Sequence, residues 1–109
     1  IGDKSQSALF DTAKIKRLIH PGEILREEYL APLGLKPYSL ARHLGVPRTR
    51  IERIAAEQTS VTPDTALRLA RYFGTTPNFW LNMQAAFDLS KEAALKKAEI
   101  AAIKPLQAA

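Results

Sequence analysis

From residue 20 onward, apolar positions recur at helical spacing, and proline and glycine cut them into short runs. The first run, Glu23-Ile24-Leu25-Arg26-Glu27-Glu28-Tyr29-Leu30, follows Pro21-Gly22 and is closed by Pro32 and Gly34. Proline is tolerated in a first helical turn because its missing N–H has no intrahelical partner there. Glu23 in that turn suits the helix dipole. Pro37 opens a second helix with an apolar stripe of Leu40, Ala41 and Leu44, stopped by Gly45. Pro47 opens a third, with Ile51, Ile54 and Ala55 on one face. Thr62-Pro63-Asp64 supplies a fourth helix with a threonine cap, a proline at the first position and an acidic first turn. That helix runs through Phe73 to Gly74. Thr76-Pro77 repeats the signal for a fifth helix, from Asn78 to about Phe87. Residues 91–103, rich in Ala, Lys and Glu, predict more helix before Pro105. Val and Ile do not alternate, so no strand is predicted.

Residues 1–19 are polar and mixed, with Ala8-Leu9-Phe10 and Ile15 as isolated apolar points. They read as a mobile arm, anchored at most by Phe10. The expected organisation is therefore an arm (1–19), a compact all-α domain (20–89) and a C-terminal helical extension (90–109). The stripe Phe79, Trp80, Met83 and Phe87 reads first as core. Its second reading, together with the 91–103 helix, is a contact with a second subunit, where Trp and Phe are enriched.

The most informative stretch lies between Pro37 and Ile54. Leu40 and Leu44 share a helix face, Ala41 sits beside them, and Gly45, Val46, Ile51 and Ile54 follow. Two helices crossing steeply through a short turn require this pattern. The alanine permits close approach, and the glycine accepts a positive φ. The pattern predicts a helix-turn-helix. The outward face of its second helix would carry Thr49, Glu52, Arg53 and Ala56, flanked by Arg48 and Arg50.

Composition sharpens this reading. A chain of 109 residues fits one domain. It holds 16 Lys+Arg against 11 Asp+Glu, a formal charge of +5, which favours an anionic partner. Residues 36–53 hold five of the basic groups (Lys36, Arg42, Arg48, Arg50, Arg53) against one acid, Glu52, a local net charge of +4. A basic helix face of this kind reads base edges in the major groove. The competing reading is a solvated face, with Arg48–Glu52 and Arg53–Glu57 as i, i+4 surface pairs. With no cysteine, disulfides, cysteine-zinc sites and thiol catalysis are excluded. His20 and His43 fall on different helices without a matching base or nucleophile, so neither a metal site nor an enzyme is expected. His20 reads as a cap or staple, His43 as an exposed residue. No small-molecule ligand or cofactor is signalled. No apolar run approaches the roughly 20 residues that span a bilayer, and no basic-then-apolar leader opens the chain, so a cytoplasmic protein is expected.

Four segments carry a resemblance to a known family. They are His20-Pro21-Gly22-Glu23-Ile24-Leu25, Leu40-Ala41 with Leu44-Gly45-Val46-Pro47, Thr62 through Ala70, and Pro77-Asn78-Phe79-Trp80-Leu81-Asn82-Met83-Gln84. Together they resemble the HigA-type antitoxins, bacterial proteins of the phage-repressor-like helix-turn-helix class. The resemblance implies a five-helix domain and a homodimer that binds a palindromic operator and represses its own operon. It also implies a partner toxin, a ribonuclease of the HigB type. Carried onto this sequence, base contacts fall on Arg48, Thr49, Glu52 and Arg53. Contacts to the DNA backbone fall on Lys36, Tyr38, Ser39 and Arg50, and Lys14, Lys16 and Arg17 of the arm are further candidates for phosphates or an acidic protein.

The chain departs from the class in three places. Lys36 stands at a cap position that often holds Ser or Thr, and Pro37 replaces a phosphate-clamping Gln. Ala56-Glu57-Gln58-Thr59 is neutral to acidic where many relatives have Gly and basic residues. The neutral loop after Ala56 and the acid at Glu52 keep open a protein-interaction module that has lost DNA binding, and the sequence barely separates the antitoxin from a stand-alone regulator without a toxin.

Overall fold

The computed structural model describes residues 18–107. Phe10, Lys14, Lys16 and Arg17, and with them residues 1–17 of the arm expected over 1–19, lie outside the described residues. Six helices follow. The first, α1, is continuous through three segments: α-helical Pro21–Ile24, π-helical Leu25–Leu30 and α-helical Ala31–Leu33. Then come α2 (Pro37–Leu44), α3 (Arg48–Ala55), α4 (Pro63–Phe73), α5 (Pro77–Leu95) and α6 (Lys97–Ala101). The described residues contain no strand. The wide turns in α1 sit just upstream of Pro32. That residue has no N–H to donate, and its ring displaces the carbonyl four positions back. Bonding shifts accordingly, with the Ala31 N–H donating to the Arg26 carbonyl five residues earlier.

The start signals form as the sequence predicts. The Thr62 hydroxyl accepts from the Thr65 N–H at 3.4 Å, and Thr76 accepts from the Phe79 N–H at 3.1 Å. His20 is the cap of α1, its Nδ1 accepting from the Gly22 N–H at 2.8 Å. Helix α5 differs from expectation. It runs to Leu95 rather than to about Phe87, because no Gly or Pro interrupts a stretch rich in strong helix formers.

The core joins Leu25 and Leu30 of α1, Leu40, Ala41 and Leu44 of α2, Ile51 and Ile54 of α3, Ala66 and Leu69 of α4, and Trp80 of α5. Trp80 is fully buried. Its indole N–H donates to the Thr75 hydroxyl at 2.8 Å, and its ring lies 5.3 Å from Tyr29. Met83 and Phe87 are half-buried and Phe79 reaches the surface, so the stripe is core at its centre and edge at both sides. Gln84, which the sequence did not single out, is buried. It accepts from the Val61 N–H at 2.8 Å and donates to Asp88 at 3.0 Å, which ties the α3–α4 loop to α5. Beyond Phe87 every described residue is exposed.

The opening turn of α1 is wedged against the end of α3. A Cβ on Gly22 would lie 1.8 Å from the Ile54 carbonyl oxygen, so only glycine fits. Beside it the buried His20 ring meets the edge of Phe87 at 4.9 Å. Burial lowers the His20 pKa from its ordinary 6.5; Glu57, a backbone hydrogen bond to Thr59 and Asp88 oppose this, and Lys91 adds to it.

Two outcomes are expected. A lowered pKa in the folded state means that the unfolded chain takes up the proton first, so stability is full above about pH 6.5 and is lost as pH falls through that value. Melting temperature should drop between about pH 7.5 and pH 5.5, and His20→Asn, which keeps an acceptor without a titrating ring, should flatten that slope. Gly22→Ala should cost at least about 3 kcal/mol, read from the urea midpoint, because α1 must move off α3.

Candidate nucleic-acid interface

The helix-turn-helix is built by α2 and α3. Leu40, Ala41 and Leu44 are buried on one face of α2. Gly45 takes φ +71°, a left-handed conformation that costs an ordinary residue about 1–2 kcal/mol. The Gly45 N–H donates to the Arg42 carbonyl and the Val46 N–H to the Ala41 carbonyl, which closes the turn. On α3, Ile51, Ile54 and Ala55 face the core, and Ile51 is completely buried. The remaining positions of this two-turn helix must therefore face outward. Arg48, Thr49 and Arg53 are exposed, and Arg50 and Glu52 are half-buried.

These residues differ in how their charge is used. Arg48 donates through Nε to Glu52 at 3.1 Å, the pair anticipated from spacing. Arg50 donates to Asp64 at 2.6 Å. Asp64, at the start of α4, also accepts from Arg68 Nε at 3.1 Å, and these two guanidinium groups, Arg50 first, hold its carboxyl below the usual range. Arg68 in turn donates to the Leu44 carbonyl at 2.8 Å, so this network links the ends of α2, α3 and α4. Arg53 and Thr49 have no side-chain partner among the described residues. The anticipated Arg53–Glu57 pair does not form. α3 ends at Ala55, and Glu57 lies past the helix at φ +63° with its carboxylate on Arg26.

Thr49, Arg50 and Arg53 line a groove of about 500 Å³ between α3 and the loop that follows it. Its other wall holds Thr59, Ser60 and Thr62. These hydroxyls were not anticipated; their signal was the run Thr59-Ser60 before the Thr62 cap. Asp64, which holds Arg50, also lines the groove; hydroxyls that donate and accept beside the free guanidinium of Arg53 suit phosphate oxygens and base edges. Lys36, Tyr38 and Ser39 lie outside this groove, at the opening of α2. Lys36 is exposed and makes no capping bond, Tyr38 is half exposed, and Ser39 is half-buried. His43 is exposed on the far turn of α2, stacked on Tyr72 at 5.3 Å. Among the described residues no group of three His, Asp or Glu is placed to hold a metal ion, and no helix is long and apolar enough to cross a membrane.

Comparison with known proteins agrees with this architecture. Residues 25–80 match the family described as Helix-turn-helix. The chain is 57% identical over 88 residues to virulence-associated protein I of Dichelobacter nodosus, covering 81% of each chain. It is 35% identical over 91 residues to antitoxin HigA-1 of Vibrio cholerae, covering 84% of this chain and 86% of the relative. Among solved structures, Pseudomonas aeruginosa antitoxin HigA with the higBA promoter superposes with a TM-score of 0.81 at 41% identity, over 84% of this chain and all of that one. Antitoxin GraA in complex with its operator gives 0.79 at 45%, over 84% and 94%. Three of these four are named as antitoxins, two of them solved with promoter or operator DNA. A two-helix motif closed by Gly45 with its basic face outward, in a chain similar over most of its length to such proteins, places this chain in the helix-turn-helix family, as a member of the HigA antitoxin type.

Proposed function

We propose that this chain is the antitoxin of a type II toxin–antitoxin pair. In this reading it binds its operator as a homodimer, represses its own operon and neutralises a ribonuclease toxin of the HigB type. The observation that carries the DNA half is the outward face of α3. Thr49 and Arg53 stand exposed and uncommitted, on a scaffold that matches antitoxins solved with promoter or operator DNA. Arg48, Thr49, Glu52 and Arg53 then read bases, with Glu52 steering Arg48 until it meets its guanine. Lys36, Tyr38, Ser39 and Arg50 contact phosphates, and Arg50 exchanges Asp64 for one.

Dimerisation is supported by the C-terminal third. Leu89, Leu95, Ile100, Ile103 and Leu106 are each more than half exposed, and none of the described residues after Phe87 is buried. A series of exposed apolar side chains marks an interaction site, so this segment, which takes in the described part of the 90–109 extension, fits a surface buried by a second copy. Two-fold symmetry would set the two α3 helices about one DNA turn apart, roughly 34 Å. The toxin half rests on likeness to named antitoxins, and co-purification with the product of the adjacent gene tests it. Capture of a ribonuclease supports the antitoxin; DNA binding without capture favours a stand-alone regulator.

Titration of the stretch upstream of its own gene against a random duplex tests DNA reading. Arg53→Ala should cost about 1–3 kcal/mol on the operator and relax specificity at one base. Equal loss on both duplexes would remove Arg53 from base reading. Lys36→Ala should weaken both duplexes alike and flatten the log–log salt slope by about one. A wild-type chain that fails to shift the upstream duplex at low salt would instead favour an interaction module.

A further inference from the structure

The left-handed residue after α3 is a glutamate, and its side chain is engaged. The helix ends in a Schellman arrangement, with the Glu57 N–H on the Ile54 carbonyl at 2.9 Å and the Gln58 N–H on the Arg53 carbonyl at 2.8 Å. Such an ending places its residue at positive φ, which glycine adopts without strain. Glu57 takes φ +63° nonetheless. Its carboxylate accepts from Arg26 of α1 at 3.2 Å. The same guanidinium donates to the Ala55 carbonyl, a terminal carbonyl of α3 that has no intrahelical partner, and through Nε to Glu27 at 3.0 Å. All three donor atoms of Arg26 are used, and two of them grip the end of α3.

We propose that Arg26 and Glu57 form a positioning clamp that sets the pose of α3 on DNA, with Arg26 holding the recognition helix by its C-terminal carbonyl. The inference rests on the DNA-binding reading above. The clamp sits at the opposite end of α3 from Arg48 and one turn from Arg53, whose own carbonyl takes part in the same ending. A rotation of α3 would displace Thr49 and Arg53 against the bases while leaving the phosphate contacts of α2 in place. Gly22 fixes how closely α1 approaches α3, and Arg26 fixes α3 about that contact.

The signs of two substitutions separate positioning from simple charge. Arg26→Gln removes a cation and Glu57→Gln removes an anion. If these residues act only through their charge, the first weakens binding to any duplex and the second tightens it. If they act as a clamp, both lower the ratio of upstream-duplex to random-duplex affinity. A drop of about tenfold is expected, within the range for residues that act on a site through packed neighbours. The double variant should fall no further than either single one. Amide hydrogen exchange at Glu57 and Gln58 should quicken in both variants without DNA present. Binding is read well below each variant's melting temperature, so that lost stability does not enter. An unchanged ratio in either variant, opposite shifts in the two, or unchanged exchange at these amides would overturn the proposal. A wild-type ratio of one would instead remove the DNA-binding reading, and the exchange measurement would still decide whether Arg26 holds the end of α3.

Discussion

The approach of α1 to the end of α3 governs the arrangement of the rest. Gly22 sits where no side chain fits beneath the Ile54 carbonyl. His20 caps α1 at that point and packs on Phe87 of α5. Arg26, one turn along, holds the Ala55 carbonyl and Glu57. Helix α3 is thus fixed from behind, by backbone proximity and by a charged grip on its last turn. Its apolar face is locked by Ile51 and Ile54, so its outward face is rigidly presented. The motif His20-Pro21-Gly22-Glu23 thereby gains a physical account. It is a joint beneath α3, on the side away from Thr49 and Arg53.

Charge on that outward face is only partly free. Surface ion pairs such as Arg48–Glu52 are worth about 0–1 kcal/mol. Exchanging one for a phosphate or a guanine therefore costs little. The Asp64 network is different in kind, because one carboxylate serves both Arg50 and Arg68 while Arg68 also caps α2 through the Leu44 carbonyl. It holds the motif's own geometry. If Arg50 leaves Asp64 for a phosphate, as proposed, Arg68 still holds both Asp64 and the Leu44 carbonyl. The basic local charge read from the sequence is therefore divided between groups that brace the motif and groups left free at its surface.

The long α5 makes a similar division. Its first half, with Trp80 and Gln84, closes the core and anchors the loop after α3. Its second half, with α6, exposes an apolar series that the described residues leave uncovered. A single helix thus joins the helix-turn-helix to the surface proposed for dimerisation.

Much of this was legible from residue types. Pro and Gly at helix ends, the Ala41/Gly45 turn and the stripe Leu40, Leu44, Ile51 and Ile54 determined an all-helical chain with a helix-turn-helix, because helix boundaries and turn conformations are local properties of the backbone. The outward direction of Arg48, Thr49 and Arg53 followed from the same periodicity. What the tertiary structure decided were the partners between helices. Spacing offered Glu57 to Arg53, yet the helix ended two residues earlier and Glu57 went to Arg26, 31 positions away in sequence. Spacing offered no partner for Arg50, which Asp64 took from the next helix. Gln84 gave no pattern at all, since its role depends on a backbone N–H brought to it by the chain's return. Periodicity assigns a face to each residue, but only the packing of one helix on another assigns a partner across it.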